Sequence, residues 1–214
     1  MKPYTEQDLS DQFDDDLIWR RRELSDMKAA IRAADIASKP VLLRSLITMC
    51  YAHWEGYVRS CATNYFEHLS LRKLQYAALE RQLYVNSFLL RLDALHRTRL
   101  NLTARCRLVN DILDGLENRF GYLNPDLIDT KSNLSADVIK DICLICGVDG
   151  NHFEDRRPFI DVIVLRRRNA IAHGKQEYIR EADIDDLVAG TLALMQHFRS
   201  LLENKIYMRT YRAA

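Results

Sequence analysis

Glycine and proline are scarce in this chain, at seven and four of 214 residues. An all-β sandwich needs many tight turns, and so few turn formers argue against one. Charge of one sign is also lacking. With 31 basic and 30 acidic residues the net charge is +1, so no global field draws the protein to polyanions, and any affinity for nucleic acid must come from a local patch. No apolar run approaches the roughly 18 residues of a membrane span. The N-terminal stretch MKPYTEQDLSDQFDDD is acidic and lacks the basic-then-apolar order of a secretory leader. Cysteine is present five times, an odd number, with four of the five in apolar stretches. That argues against a disulfide framework and for a reducing cytoplasm.

What is present is ordinary for a globular chain, 48% hydrophobic and 29% charged, enough to bury a core. The hydrophobic pattern has helical period almost throughout. Leu9, Phe13, Leu17, Leu24, Met27 and Ile31 form a stripe over residues 5–38. The acids Asp14, Asp15 and Asp16 ahead of Arg20, Arg21 and Arg22 suit a solvent face laced with i,i+4 pairs. From Val41 to about Leu71 the chain is apolar nearly all round, which places that helix in the middle of a bundle. Residues 74–95 and 99–117 read as two more helices, and 118–134 as the longest loop. Ser135 to Gly147 predicts a capped helix, Asp155 and Pro158 open another that stops at Gly174, and Asp183 starts the last. The expectation is an all-α fold: one domain over residues 1–214, a bundle of six or seven helices, with residues 1–40 as a helical extension.

The informative stretch is Arg166-Arg167-Arg168-Asn169-Ala170-Ile171-Ala172-His173-Gly174-Lys175. Its Arg-Asn-x-x-Ala-His-Gly form resembles the signature of the HEPN superfamily. Tyr51-Ala52-His53-Trp54-Glu55-Gly56-Tyr57 and Asp129-Thr130-Lys131-Ser132-Asn133-Leu134 resemble a prokaryotic branch of the same superfamily. Arg-x4-His spacing alone carries nothing. With 23 arginines and six histidines it is expected about 0.6 times by chance, and Arg91 to His96 supplies a decoy with none of the surrounding residues.

The resemblance implies an α-helical RNA endonuclease of a toxin–antitoxin or anti-phage defence system, needing no metal or other cofactor. It further implies a homodimer whose two motifs face one cleft, RNA as substrate, and a protein antitoxin as a partner. On that reading Arg168, Asn169 and His173 are catalytic, and Arg166, Arg167 and Lys175 bind RNA. The alternative is a non-catalytic module of the same superfamily that binds RNA, nucleotide or a partner protein. One departure matters: a subgroup of HEPN toxins carries a tyrosine two residues after the histidine, the target of nucleotidylation, and that position is Lys175 here.

The chemistry suits the residue types. Cleavage by a ribose 2′-hydroxyl needs a base and an acid, and histidine serves both near neutrality. An arginine fork stabilises a phosphorane-like transition state. Asn169 and His173, four residues apart, share a helix face, whereas Arg168 and His173 are about 140° apart on an ideal helix. They meet only through arginine's length, a distorted helix end or a second copy of the helix.

Between Arg156 and Arg180 seven basic residues face two acidic ones, a local footprint for phosphate. Glu55 is a candidate support for His173 or a substrate hydroxyl, although its place four residues before Arg59 favours a helix-surface pair. Cys143 and Cys146 lack a second pair for zinc and read as core, as do Tyr51 and Trp54. His53, His68, His96 and His197 read as structural. Asn133 reads as a turn or cap residue and a candidate support of the motif.

Overall fold

The computed structural model describes residues 2–97, 102–121 and 123–213. Among them the fold is all-α, as expected, with eight α-helices and no strand. The first helix, α1 (Glu6–Ala33), opens on a reciprocal cap in which the Thr5 hydroxyl accepts from the Asp8 N–H and the Asp8 carboxylate accepts from the Thr5 N–H. Its stripe Leu9, Phe13, Leu17, Leu24 and Ile31 is buried against α2 (Lys39–Leu71) and the last helix, α8 (Ile184–Tyr207). The N-terminal helix is thus packed into the same core as the rest. Helix α2, greasy on most sides, is central and buries Trp54, Tyr57, Cys61 and Tyr65 completely.

Two stretches depart from the expected helices. Residues 74–80 form a single 3-10 turn (Tyr76–Ala78), and α3 begins only at Arg81 and runs to Arg97. Isolated bridges to Arg119 and Arg212 pin Gln75 and Leu79 in extended conformation, which no helix can accommodate. Residues 99–101 of the next expected helix lie outside the described residues, and α4 spans Leu102–Asp114. The helix expected from Asp155 to Gly174 begins earlier and changes pitch. Helix α6 (Asn151–Asp155) leads, through Arg156 and Arg157, into a π-helical segment, Pro158–Arg166, and then α7 (Arg167–Ala172). This subdivision raises the helix count above six or seven.

Between α4 and α7 lies α5 (Ala136–Cys146), capped by the Ser135 hydroxyl and closed by left-handed Gly147. Cys143 and Cys146 are buried on it. Gly190 fixes how α8 meets the π segment: a Cβ there would lie 2.4 Å from the Phe159 ring. Only a glycine lets Phe159 rest on α8, and that contact sets the depth of the helix carrying the arginine–histidine motif. Among the described residues no helix is long and apolar enough to cross a membrane.

Candidate functional site

The three sequence stretches singled out above converge. Arg168, in the first turn of α7, lays its guanidinium over the Tyr51 ring of α2, 4.2 Å from the ring centroid. Its Nη1 donates to the Ser132 carbonyl at 3.3 Å and to the Asn169 side-chain oxygen at 2.7 Å. Asn169 in turn donates its amide N–H to the Asn133 side-chain oxygen at 2.8 Å. The Tyr51 hydroxyl accepts the Leu134 backbone N–H at 2.8 Å. Each stretch therefore holds the other two.

The loop contributes through strain. Lys131 and Ser132 both have φ of +52°, a left-handed conformation that costs side-chain-bearing residues roughly 1–2 kcal/mol each. Local bonds hold it: the Asp129 carboxylate accepts from the Lys131 N–H at 2.7 Å, and the Asn133 N–H donates to the Thr130 carbonyl at 2.9 Å. Arg59 Nη2 donates to the buried Thr130 hydroxyl at 2.9 Å. The result is a Ser132 carbonyl presented to Arg168.

Arg59 is thereby spent on the loop, so the expected Glu55–Arg59 pair does not form; a longer-range acceptor outcompetes the i,i+4 partner. Glu55 instead sits, half-buried, beside the Tyr51 hydroxyl. Burial pushes that hydroxyl up to about 12, with the Glu55 charge adding to the rise and the Leu134 N–H and Arg168 opposing it. Tyr51 stays protonated at any ordinary pH.

His173 caps the C-terminal end of α7. Its N–H donates to the Asn169 carbonyl at 3.0 Å. The Gly174 N–H reaches the Ile171 carbonyl and the Lys175 N–H the Ala170 carbonyl, at 3.0 and 2.9 Å, with Gly174 at φ +72°. This is a Schellman ending, and the positive φ is why the position wants glycine. The imidazole is exposed and makes no hydrogen bond to another described residue. Asn169 is bound to Arg168 and Asn133, not to the imidazole. Within one chain the structure brings Arg168 and Asn169 together and leaves His173 separate at the helix end.

The basic footprint is smaller than its sequence count. Arg157 is held by Glu154 at 2.6 Å, Asp161 at 3.3 Å and Asp137, and Arg180 by Asp183 at 2.7 Å. Arg166 and Lys175 are exposed, and Arg167 is half-buried. Of these acids the count along the chain took in Asp161 alone; Asp137, Glu154 and Asp183 lie outside the counted stretch. His53 and His68 are buried and His197 is half-buried. The His68 Nδ1 lies 2.8 Å from the Pro3 carbonyl. The decoy Arg91 pairs with Asp111 at 2.6 Å, and the His96 side chain lies outside the described residues.

Sequence reasoning missed Tyr51 as the floor under Arg168, and the Arg59–Thr130 clamp on the loop. The signal available was the four-residue step from Tyr51 to Glu55 within a stretch already singled out.

The all-α bundle is the architecture that the HEPN resemblance implied, and the meeting of the three stretches is what the structure adds. The RiboL-PSP-HEPN family model matches residues 15–204, and the chain belongs to that family. No curated protein and no solved structure matches it.

Proposed function

We propose that this protein is a metal-independent RNA endonuclease of a toxin–antitoxin or anti-phage defence system, acting as a homodimer with RNA as substrate and a protein antitoxin as partner. The observation that carries the reading is the state of Arg168: it is oriented by three uncharged partners, an aromatic face, a carbonyl and an amide oxygen. Its charge is left for an anion, five residues along the chain from a solvent-open imidazole.

The reaction moves two protons. An imidazole takes the 2′-hydroxyl proton, and the freed oxygen attacks the adjacent phosphorus. A 2′,3′-cyclic phosphate forms, and the 5′-oxygen departs with a proton from a second acid. In the homodimer His173 of one protomer and its mate fill the two roles across a twofold seam. Arg168 stabilises the equatorial oxygens, Asn169 holds Arg168, and Arg166, Arg167 and Lys175 track the flanking phosphates. Glu55 acts through the Tyr51 hydroxyl that anchors the loop.

The test is cleavage of total RNA with and without EDTA, wild type against His173→Ala, with end-group analysis. Cyclic phosphate ends, indifference to EDTA and loss with the substitution are expected. Intact RNA from a folded, dimeric wild-type protein sinks the reading.

A second reading, a module that binds RNA, nucleotide or a partner protein without turnover, draws on the absence of a hydrogen bond between Arg168 and His173. It predicts saturable binding that His173→Ala leaves unchanged.

A further inference from the structure

A cavity of about 670 Å³ opens beside the motif, between the α1–α2 turn and the segment that follows Gly174. Its size falls in the range of small-molecule sites. Leu43 and Ile179 form a buried floor, and Pro40 closes one side. Ile36, 93% exposed, and Tyr178, 84% exposed, stand on its lips. Single exposed apolar residues need no explanation, but two large ones flanking one cavity are surface left uncovered.

Five of the ten lining residues are charged or carry an amide, and two of these satisfy each other. Lys39 is spent on Glu181 at 2.9 Å. The Arg44 guanidinium is half-buried and has no hydrogen bond or ion pair to another described residue, and the Gln176 amide is exposed. With Glu177 the lining charges balance, two against two. A balanced, largely apolar pocket does not favour a phosphate; it suits a flat, uncharged ring with hydrogen-bonding edges.

Distance along the chain ties the pocket to the motif. Gln176 is three residues after His173, a span of at most about 10 Å. The basic residues Arg166 and Lys175 precede it, so the backbone track and the neutral pocket adjoin. Single-stranded RNA is read by splaying bases onto aromatic faces and arginine planes. Arginine and glutamine side chains each match the paired groups on a purine's outer edge: O6 and N7 of guanine, N6 and N7 of adenine.

We propose that this pocket binds a purine base of the RNA next to the scissile phosphate, stacked on Tyr178 with Arg44 and Gln176 at its edge. The proposal rests on the endonuclease reading for the identity of the RNA, but its test does not need turnover. The full chain carrying His173→Ala is titrated by NMR with adenosine, guanosine, cytidine and uridine, which have no phosphate for the basic track to hold.

Saturable binding of adenosine or guanosine at least tenfold tighter than of the pyrimidines is expected. Tyr178→Ala and Arg44→Met should each weaken it by about tenfold or more, and Tyr178→Phe should preserve it. Equal affinity for all four nucleosides, no saturation, or indifference to both substitutions overturns the proposal. Because Tyr178 is 84% exposed, its replacement does not threaten the fold. Failure of the cleavage assay with purine binding intact would remove the endonuclease reading alone.

Discussion

Arg157 and Arg168 stand at the two ends of one helical stretch and meet opposite surroundings. Arg157 lies among the carboxylates of Asp137, Glu154 and Asp161, and its charge is cancelled where it sits. Arg168 is held as firmly in direction, yet its partners are a tyrosine ring, a carbonyl and an amide. Among the described residues no carboxylate lies within ion-pair distance of it. Carboxylates orient a guanidinium by neutralising it; neutral acceptors orient it and leave the charge to act elsewhere. The first arrangement ties helices together, and the second leaves a positive charge uncompensated, the charge that the proposed function assigns to phosphate.

The sharpest way to break this contrast is kinetic. His173→Ala should lower the rate of RNA cleavage by about 10²- to 10⁴-fold, and Arg168→Ala by about 10²- to 10³-fold, measured on a defined oligoribonucleotide. Arg168→Lys should recover little, because an ammonium reproduces neither the flat stack on Tyr51 nor the fork. Arg157→Met should change the rate less than twofold. A comparable loss at Arg157 would erase the distinction.

Tyr51→Phe comes next. It keeps the ring beneath Arg168 and removes the acceptor for the Leu134 N–H. The orphaned buried donor should cost about 1–3 kcal/mol in urea unfolding. Cleavage should fall several-fold through a loosened 129–134 loop, with the loss in kcat rather than KM. Gly174→Ala is smaller: a Cβ there meets nothing within 4 Å, so only the positive φ is penalised, by about 1 kcal/mol in thermal unfolding.

The smallest effect is in acid. Hydrogen bonds from Arg157 hold Glu154 down at about 2 and lower Asp137. These groups bind protons more readily unfolded than folded, so their contribution is present above the ordinary carboxylate range, near pH 4, and fades as pH falls through about 2. Both are exposed, so the contribution is small. Arg157→Met should flatten the pH dependence of the thermal midpoint across that window, while Arg168→Met should leave it unaltered.

Much of the scaffold was legible along the chain because its causes are local. The α1 stripe, the Ser135 cap, the glycine stops at 147 and 174 and the Asp183 start depend on residues within a turn or two. The late start of α3 was not, because Gln75 and Leu79 are pinned by Arg119 and Arg212 far along the chain. Nor was the π segment, for which the sequence period offers no sign. At the site, Arg168, Asn169 and His173 could be picked out by their neighbours, whereas the partner of each could not. Arg59 passes over Glu55 for Thr130, 71 positions away, and the basic stretch loses Arg157 to acids that include Asp137 of α5.

The sequence by itself determined that this chain is a helical bundle, and it singled out one arginine–histidine stretch, residues 166–175, as the candidate site. Helical period, caps and a motif are written within a few residues of one another. Only the tertiary structure decided which arginine keeps its charge. That depends on whether a carboxylate or a neutral oxygen arrives from a distant segment, and at hydrogen-bond range the difference between them is one full charge.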